Sequence, residues 1–462
     1  MSPNTDFKVM HGLAEFCRSF RTRAIPHDVL HAAARCIVDW MAAVVPGGVQ
    51  PPATLLAAAL RDEVGAGLAR LIPVGTRLSA RAVALINGCA AHTIEFDDIY
   101  RDALYHPGAP TISAALAIAQ ERRIDGDLFL RSVIAGYEVS TRIGVVVQPT
   151  HYNFWHTTGT VGTFGAAAAV ATALRLETAG CANALATSGT LAAGLQQAFR
   201  SHSMSKPMHS GHAAETGLLA ALAAEQGVTG AWDILEGPRG FGAAMGGNPD
   251  FSTVLGDLTA FNIRDMTFKN YSCCGHTFAA IDAARELRSR HQLTAESIDS
   301  IEISTYAKAL EVAGNPEPQT VFEAQFSLPY AVGVTLATGS ARLDAFTPER
   351  LQDSTVRALM AVTKQSVNLE ADAAYPRQRA ATVIIHTRNG ETLTAYAPTR
   401  KGDPDNPLSD GELSDKFMEL VGPLCGSGAA RRFLDALWDL SSVDDIATFP
   451  LPLARAMAPE GG

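Results

Sequence analysis

The chain has 462 residues, 47% of them hydrophobic, and its 37 basic and 47 acidic side chains give a formal net charge of −10. This acidic surplus argues against a nucleic-acid-binding protein or a protein held on an anionic membrane, because both need a basic face. The longest apolar runs fall short of the ~20 residues of a membrane span. The first ten residues include Asp6 and lack the apolar core of a secretory signal. We therefore expect a globular protein that binds neither nucleic acid nor membrane.

Seven cysteines are spread along the chain, and none of them belongs to a Cys-x-x-Cys pair. An odd number without regular spacing is typical of a reducing compartment and not of a disulfide framework. An iron–sulfur cluster is also disfavoured, since it needs several suitably spaced thiolates. The cysteine pattern predicts a cytoplasmic protein without a cluster.

Residues 1–265 have the pattern of a helical domain. Ala, Leu and Gly dominate this part, and apolar residues recur every three or four positions. Three Ala-rich segments, residues 80–92, 165–174 and 213–225, offer little side-chain area. They predict helices that are buried among other helices.

The pattern changes near Arg264. Residues 297–305 partly alternate between apolar and polar positions, and Asn389-Gly390 separates two further alternating runs, which predicts a β-hairpin. Helices are predicted at residues 277–291 and 326–338, and a helical pattern returns after a polar, proline-rich linker. The resulting prediction is a mainly α fold, with a large all-helical domain built from both chain ends and a smaller α/β domain: residues 1–265 with 405–462, and residues 266–404.

The segment from His92 to His106 is unusually polar for a helical core. It holds two histidines and four carboxylates: His92, Glu95, Asp97, Asp98, Asp102 and His106. Glu95 and Asp98 are expected on one face of a helix, and His106 begins a turn with Pro107-Gly108. The segment is either part of a functional site or a solvated helix end with a capped turn.

A second segment, residues 154–165, places hydroxylated side chains and three glycines at the start of a helix. His156 and Thr157 stand just before Gly159. Such a start presents free backbone N–H groups and a positive dipole end, which suits a carboxylate or phosphate. The glycine spacing differs from the dinucleotide-binding fingerprint, so it indicates close helix packing more strongly than nucleotide binding.

Two further segments contain lysine. Lys206 precedes Pro207 and is expected in a rigid extended turn before an apolar helix, where it can clamp a carboxylate. The alternative is a surface loop. The segment from Lys269 to Thr277 opens a helix at the predicted domain junction, where His276 either contacts a ligand or only caps the helix.

Metal and hydrolase sites have little support in the sequence. There is no His-Glu-x-x-His motif, and the three-residue spacing of His209 and His212, with Glu215 nearby, matches no standard metal site. The Gly-x-Ser-x-Gly nucleophile elbow is also missing from the sequence. We therefore predict no metal.

The polar segments resemble those of the MmgE/PrpD family, which includes 2-methylcitrate dehydratase, cis-aconitate decarboxylase and iminodisuccinate epimerase. The resemblance extends from about residue 7 to residue 440, with the motifs in the same order. It rests on these residues: Asn87-Gly88, His92, Phe96-Asp97-Asp98, His106-Pro107-Gly108, His156 with Gly159 to Gly162, Ser205-Lys206-Pro207, Gly211 to Gly217, and Leu235 to Phe241.

The resemblance implies that the α/β domain is a lid, that the protein is a homodimer, and that catalysis needs no metal or organic cofactor. The implied substrate is a small di- or tricarboxylic acid. Carried over position by position, the catalytic residues are Asp97, His106, His156, Lys206 and Tyr330. The residues expected to bind the substrate are His276, Thr157, Gly159 and His209.

The reactions of this family make or break a bond at a carbon next to a carboxylate, and negative charge builds up on that carboxylate. Cations and N–H donors stabilise such charge, which suits Lys206 and the helix start at Gly159. Histidine transfers protons well at neutral pH. His106 and His156 are therefore predicted as the acid/base pair, and Tyr330 as the proton donor to a leaving hydroxide.

Several activities fit these residues. We place a dehydratase of the 2-methylcitrate dehydratase type first, with a cis-aconitate-type decarboxylase or an epimerase of an imino or amino dicarboxylate as alternatives. A polycarboxylate-binding protein without activity is the non-enzyme alternative. A helical-repeat scaffold is disfavoured, because the sequence has no repeat of fixed period.

Overall fold

A computed structural model describes residues 7–455 apart from residues 200 and 202. The prediction that the first ten residues are not a secretory signal falls partly on residues 1–6, which lie outside the described residues. The chain forms two compact units. The first unit consists of the chain up to Thr267 and from Ser409 onward, and the second consists of Phe268–Leu408. The boundaries predicted from the sequence lie after residue 265 and after residue 404.

The α-helices are, in chain order, α1 (Lys8–Ser19), α2 (His27–Gly47), α3 (Ala53–Ala59), α4 (Ala80–Thr93), α5 (Gly108–Arg122), α6 (Gly126–Val147), α7 (Thr157–Ala173), α8 (Thr178–Leu191), α9 (Ser205–Glu225), α10 (Phe278–His291), α11 (Ala307–Ala313), α12 (Val321–Gln325), α13 (Leu328–Thr338), α14 (Pro348–Leu351), α15 (Ser354–Ala361), α16 (Leu369–Ala374), α17 (Asp410–Cys425) and α18 (Ser427–Trp438). The strands are β1 (Ala69–Arg70), β2 (Arg77–Leu78), β3 (Ile298–Thr305), β4 (Thr363–Val367), β5 (Ala381–Thr387) and β6 (Thr392–Ala397). The chain is mainly α-helical, as predicted.

Helix α7 is the centre of the first unit, because every residue from Thr157 to Ala173 is buried. It packs against α5, α6 and α9. A Cβ atom at Gly217 in α9 would lie 2.6 Å from the carbonyl oxygen of Thr163 in α7. Glycine is therefore needed for these two backbones to approach so closely. The prediction that the Ala-rich helices are buried among other helices is confirmed.

Helix α2 is long and apolar enough to cross a membrane, although the apolar runs in the sequence were judged too short for a span. Of its most apolar window, 78% is buried inside the structure, where α2 packs against α4 and α17. Its fully buried Asp39 is the partner of a lysine. These features are those of a core helix.

The second unit contains a four-stranded sheet in the order β4-β3-β5-β6. β3 runs parallel to β4 and antiparallel to β5, and β5 and β6 form a hairpin across Asn389-Gly390. The buried side of the sheet packs against α10 and α13. The predicted hairpin is confirmed, and α10 and α13 begin one and two residues later than predicted.

The helices after Ser409 return to the first unit, and α17 brings a buried cation with it. Lys416 is 0% exposed, and its Nζ lies 2.6 Å from Oδ1 of Asp39 in α2. The same Nζ donates a hydrogen bond of 3.0 Å to the carbonyl oxygen of Phe96 and lies 4.9 Å from the centre of the Phe96 ring. Lys416 thus joins the two ends of the chain and holds the peptide that precedes Asp97.

Replacing Lys416 by Met should lower the free energy of unfolding by about 3–5 kcal/mol, because it breaks a fully buried ion pair. Urea denaturation measures this change. The control is Arg290→Ala, which breaks the exposed pair of Arg290 and Glu286 and should cost less than about 1 kcal/mol. Equal losses in the two variants would contradict the assignment.

Candidate active site

The polar segment after α4 forms an irregular turn. Helix α4 ends at Thr93, and Glu95 has a φ of +59°, in the left-handed region. The expectation that Glu95 and Asp98 share a helical face is therefore wrong. A residue with positive φ ends the helical path, so the chain folds back and brings Asp97 next to its neighbours in the turn.

Asp97 lies between two histidines. Its Oδ2 is 2.5 Å from Nδ1 of His92 and 3.3 Å from Nδ1 of His106. Asp97 is 1% exposed and His92 is 0% exposed, whereas the side chain of His106 is 17% exposed. His106 is therefore the member of this trio that an outside molecule reaches most easily.

His156 and His209 extend the cluster. His156 stands just before α7, where its backbone N–H donates to the carbonyl oxygen of Gly194 at 2.9 Å. Its ring centre lies 5.3 Å from that of His92, and its Nδ1 lies 3.1 Å from Nδ1 of His209 in α9. A Cβ atom at Gly159 would lie 3.0 Å from the Cβ of His209. Gly159 therefore allows α9 to come close enough for the two histidines to bond.

Lys206 lies beside this cluster and belongs to the first turn of α9. The prediction that Lys206 lies in an extended turn before the helix is therefore wrong. Proline is tolerated in the first helical turn, where its missing N–H has no partner within the helix, so Pro207 does not interrupt α9. The Lys206 ammonium forms an ion pair with Glu95. It also lies 5.2 Å from the centre of the Phe199 ring, whose edge meets His156.

Burial and the neighbouring charges shift the pKa values of the titrating groups in the cluster. Burial works against ionised Asp97, but His92 and His106 outweigh it and hold the pKa of this carboxyl well below its usual range. Burial lowers the pKa of His156 well below its usual value, and the neighbouring histidines and Lys206 lower it further. Burial also lowers the pKa of His209 to about 4. At neutral pH His156 and His209 are therefore uncharged.

The hydrogen bonds restrict which proton each imidazole carries. The Nδ1–Nδ1 bond needs one donor and one acceptor, so His156 and His209 hold opposite tautomers. Nε2 of His92 is buried without a hydrogen-bond partner among the described residues. A proton there would leave an N–H without an acceptor, which is costly. Oδ2 of Asp97 also faces Nδ1 of His106 at 3.3 Å, where its negative charge stabilises a proton on His106.

Asp98, the neighbour of Asp97, has the opposite behaviour. Burial and the nearby Asp39 carboxylate raise the pKa of Asp98 to about 8. Its two oxygens accept hydrogen bonds from the Tyr137 hydroxyl at 2.7 Å and from the Gly108 backbone N–H at 2.9 Å. Asp98 therefore fixes the start of α5 and, through Pro107, the position of His106.

His92, Asp97 and His106 are also the kind of residues that bind metals, with one potential ligand atom each within 4.8 Å of the others. Two ligands of a tetrahedral zinc ion with bonds of ~2.1 Å stand about 3.4 Å apart. The 2.5 Å between His92 and Asp97 is a hydrogen-bond distance. This pair would have to separate before both side chains could bind one ion.

The remaining predicted residues occupy separate environments. The Thr157 hydroxyl accepts a hydrogen bond of 3.0 Å from the Gln148 side-chain amide in the first unit. His276 and Tyr330 belong to the second unit. Nδ1 of His276 lies 2.6 Å from the Tyr306 hydroxyl. The Tyr330 hydroxyl is buried and donates to the carbonyl oxygen of Ala345 at 2.7 Å.

Two residues of the cluster were not assigned a role from the sequence. His92 contacts Asp97 and lies next to both His106 and His156, and Glu95 is the partner of Lys206. Both stand in the polar segment singled out by composition. Their roles depend on the reversal of the chain at Glu95, which helical periodicity does not predict.

The lowered pKa values predict how stability depends on pH. The unfolded chain binds protons on its histidines near pH 6.5, whereas folded His209 does so only near pH 4. The free energy of unfolding should therefore fall as the pH falls from about 6.5 to 4, by up to about 1.4 kcal/mol per pH unit for each such histidine. His209→Gln should reduce this slope in urea denaturation.

The control for this measurement is His291→Gln, since His291 is exposed at the end of α10. This variant should keep the slope of the original chain. A His209→Gln variant with an unchanged slope between pH 6.5 and 4 would show that His209 does not stay neutral in the folded protein.

Comparison with known proteins identifies the family of this chain. The family model described as the MmgE/PrpD N-terminal domain matches residues 11–254, and that of the MmgE/PrpD C-terminal domain matches residues 271–441. A cis-aconitate decarboxylase of Mus musculus is 28% identical over 390 residues, which are 80% of this chain and 77% of that protein. One of Aspergillus terreus is 25% identical over 469 residues, or 96% and 95% of the two chains. Since the two family models together cover most of its length, this chain belongs to the MmgE/PrpD family.

Proposed function

We propose that the protein is a cofactor-independent lyase that decarboxylates a small unsaturated polycarboxylic acid of the cis-aconitate type. The observation that carries the proposal is the cluster in which Asp97 contacts His92 and His106, beside the neutral pair of His156 and His209. The names of the similar proteins, which are cis-aconitate decarboxylases, support the choice of reaction.

The cluster suits the proton that this reaction requires. In decarboxylation the C–C bond to one carboxylate breaks, carbon dioxide leaves, and a proton adds to the remaining carbon skeleton. We assign proton donation to His106, because its side chain is partly exposed and Asp97 stabilises its protonated form. His156 is the second proton-handling group, held in one tautomer by His209.

Lys206 would bind a carboxylate of the substrate. Its side chain is 23% exposed and its partner Glu95 is 40% exposed. A partly exposed ion pair contributes less to stability than a buried one, so an incoming carboxylate can replace Glu95. The cation would then stabilise negative charge that builds up during the reaction.

The dehydratase placed first by the sequence analysis becomes the second candidate for the reaction. Tyr330 was expected to protonate a leaving hydroxide, but its hydroxyl already donates to Ala345 within a buried cluster. An epimerase would use the same two histidines. The products formed from each acid distinguish these three reactions.

The experiment is a panel assay in heavy water followed by NMR. Methylcitrate, citrate, cis-aconitate and iminodisuccinate are each incubated with the enzyme, with and without EDTA. We expect cis-aconitate to lose carbon dioxide and the product to carry one deuterium from the solvent. Loss of water from methylcitrate or citrate would identify a dehydratase, and deuterium exchange without a new product would identify an epimerase. Activity that EDTA removes and a metal restores would contradict cofactor independence.

The histidine assignment predicts the kinetics of two variants. His106→Gln and His156→Gln keep approximate size and hydrogen bonding but lose proton transfer, so each should lower kcat by about 10²–10⁴-fold. The double variant should lose less than the product of the two single losses if both groups act in one step. Near-normal kcat in both single variants would refute the assignment.

Lys206→Ala should remove most turnover while the unfolding transition stays close to that of the original protein, since partly exposed charged residues contribute little to stability. Exposed Lys364 in β4 provides the matched control, and Lys364→Ala should leave kcat and KM unchanged. The carboxylate clamp would be wrong if Lys206→Ala kept normal kcat and KM.

We also propose that the protein acts as a homodimer in the cytoplasm. All seven cysteine thiols, which lie in the described part of the chain, are free, and this suits a reducing compartment. Light scattering of the purified protein tests the dimer, and a mass of one chain would refute it.

A further inference from the structure

The second unit contains a group of basic and aromatic side chains at one end of its sheet. β3 and β5 pair antiparallel up to Thr305 and Ala381, and the hydroxyl of Thr305 donates to the carbonyl oxygen of Ala380 at 2.8 Å. Continuing this register places Arg379 opposite the residue that follows Tyr306. The Tyr306 ring stacks on Tyr375, with centres 4.7 Å apart.

Arg379 has no hydrogen bond or ion pair with any residue in the described part of the chain. Its side chain is half-buried, and burial together with Arg400 lowers its pKa. A half-buried guanidinium normally finds a carboxylate or a carbonyl oxygen. Arg379 therefore requires an explanation.

Two carboxylates near this group already pair with other cations. Asp403 forms a two-point ion pair with Arg400, at 2.7 and 2.9 Å. Glu311 pairs with Lys308 at 2.6 Å. Each of these pairs is neutral by itself, so neither supplies a net negative charge that would offset the charge of Arg379.

His276 adds a neutral donor to this group. Its Nδ1 lies 2.6 Å from the Tyr306 hydroxyl. Burial, Arg379 and Arg400 lower the pKa of His276 to about 4, so the imidazole is neutral at pH 7. A phenol donates a hydrogen bond more readily than it accepts one, which makes Nδ1 the acceptor and puts the imidazole proton on Nε2.

We propose that Arg379 and the Nε2–H of His276 form a site in the second unit that binds a carboxylate group of a polycarboxylic acid, with Tyr306 orienting His276. A carboxylate matches the fork of a guanidinium, accepts an imidazole N–H and neutralises the remaining charge. This inference rests on the proposed function for the class of ligand. It gives His276, which was expected to bind substrate, a specific partner group.

The test is calorimetric binding of tricarballylate, a saturated tricarboxylate without a double bond or hydroxyl, to the full-length protein. Arg379→Gln should weaken binding roughly 10- to 100-fold, the range for losing a charge-assisted hydrogen bond. Arg377→Gln is the matched control, because Arg377 is exposed two residues away on the same segment. It should bind like the original protein.

Arg379→Lys and His276→Gln provide independent checks if Arg379→Gln fails to fold. Both should fold and bind more weakly, since the lysine keeps the charge but loses the fork and the glutamine changes the donor position. Unchanged binding in all folded Arg379 and His276 variants would overturn the site, as would equal weakening by Arg377→Gln.

The outcome also separates this inference from the proposed function. Arg379-dependent binding without turnover of any acid in the NMR panel would leave the carboxylate site standing and refute the lyase. Turnover with Arg379-independent binding would refute the carboxylate site alone. Binding of inorganic phosphate more tightly than tricarballylate, and with the same dependence on Arg379, would overturn the choice of a carboxylate.

Discussion

The shared contact of one buried carboxylate with two imidazoles organises the active-site cluster. Asp97 is almost fully buried, so its negative charge is costly unless a cation or strong donors face it. His92 and His106 supply that compensation. Because the side chain of His106 is partly exposed and lies 3.3 Å from Oδ2 of Asp97, the charge of Asp97 favours a proton on His106. A single desolvated carboxylate thus holds two imidazoles beside it in the turn.

This contact depends on residues far away in the sequence. Lys416, near the end of the chain, binds the carbonyl oxygen of Phe96 and the carboxylate of Asp39. It therefore holds the turn in which Asp97 lies, and it neutralises a second buried negative charge close to the cluster. The turn that carries Asp97 is therefore supported by residues from both ends of the chain.

The elements that follow local rules could be predicted from the sequence. The Ala-rich helices and the Asn-Gly hairpin depend on residue spacing and turn chemistry, and both were correct. The turn at Glu95 and the position of Lys206 within a helix were not predicted correctly. Glu95 adopts a left-handed conformation that its residue type does not favour, and contacts made after folding maintain it. Composition singled out the correct polar segments, but the contact of His92 with Asp97 depends on this reversal.

The two adjacent carboxyl groups of the turn explain how the cluster remains compatible with an anionic substrate. Asp97 is ionised because histidines face it, whereas Asp98 is largely protonated at neutral pH because it faces Asp39 and the dipoles of Tyr137 and Gly108 do not offset its burial. Two ionised carboxylates side by side would repel both each other and a polycarboxylate. With one of them neutral, a single negative charge stands behind His106, and it is already balanced when His106 carries a proton. In the proposed function, these opposite pKa shifts in neighbouring residues allow His106 to handle a proton and Lys206 to bind an anion side by side.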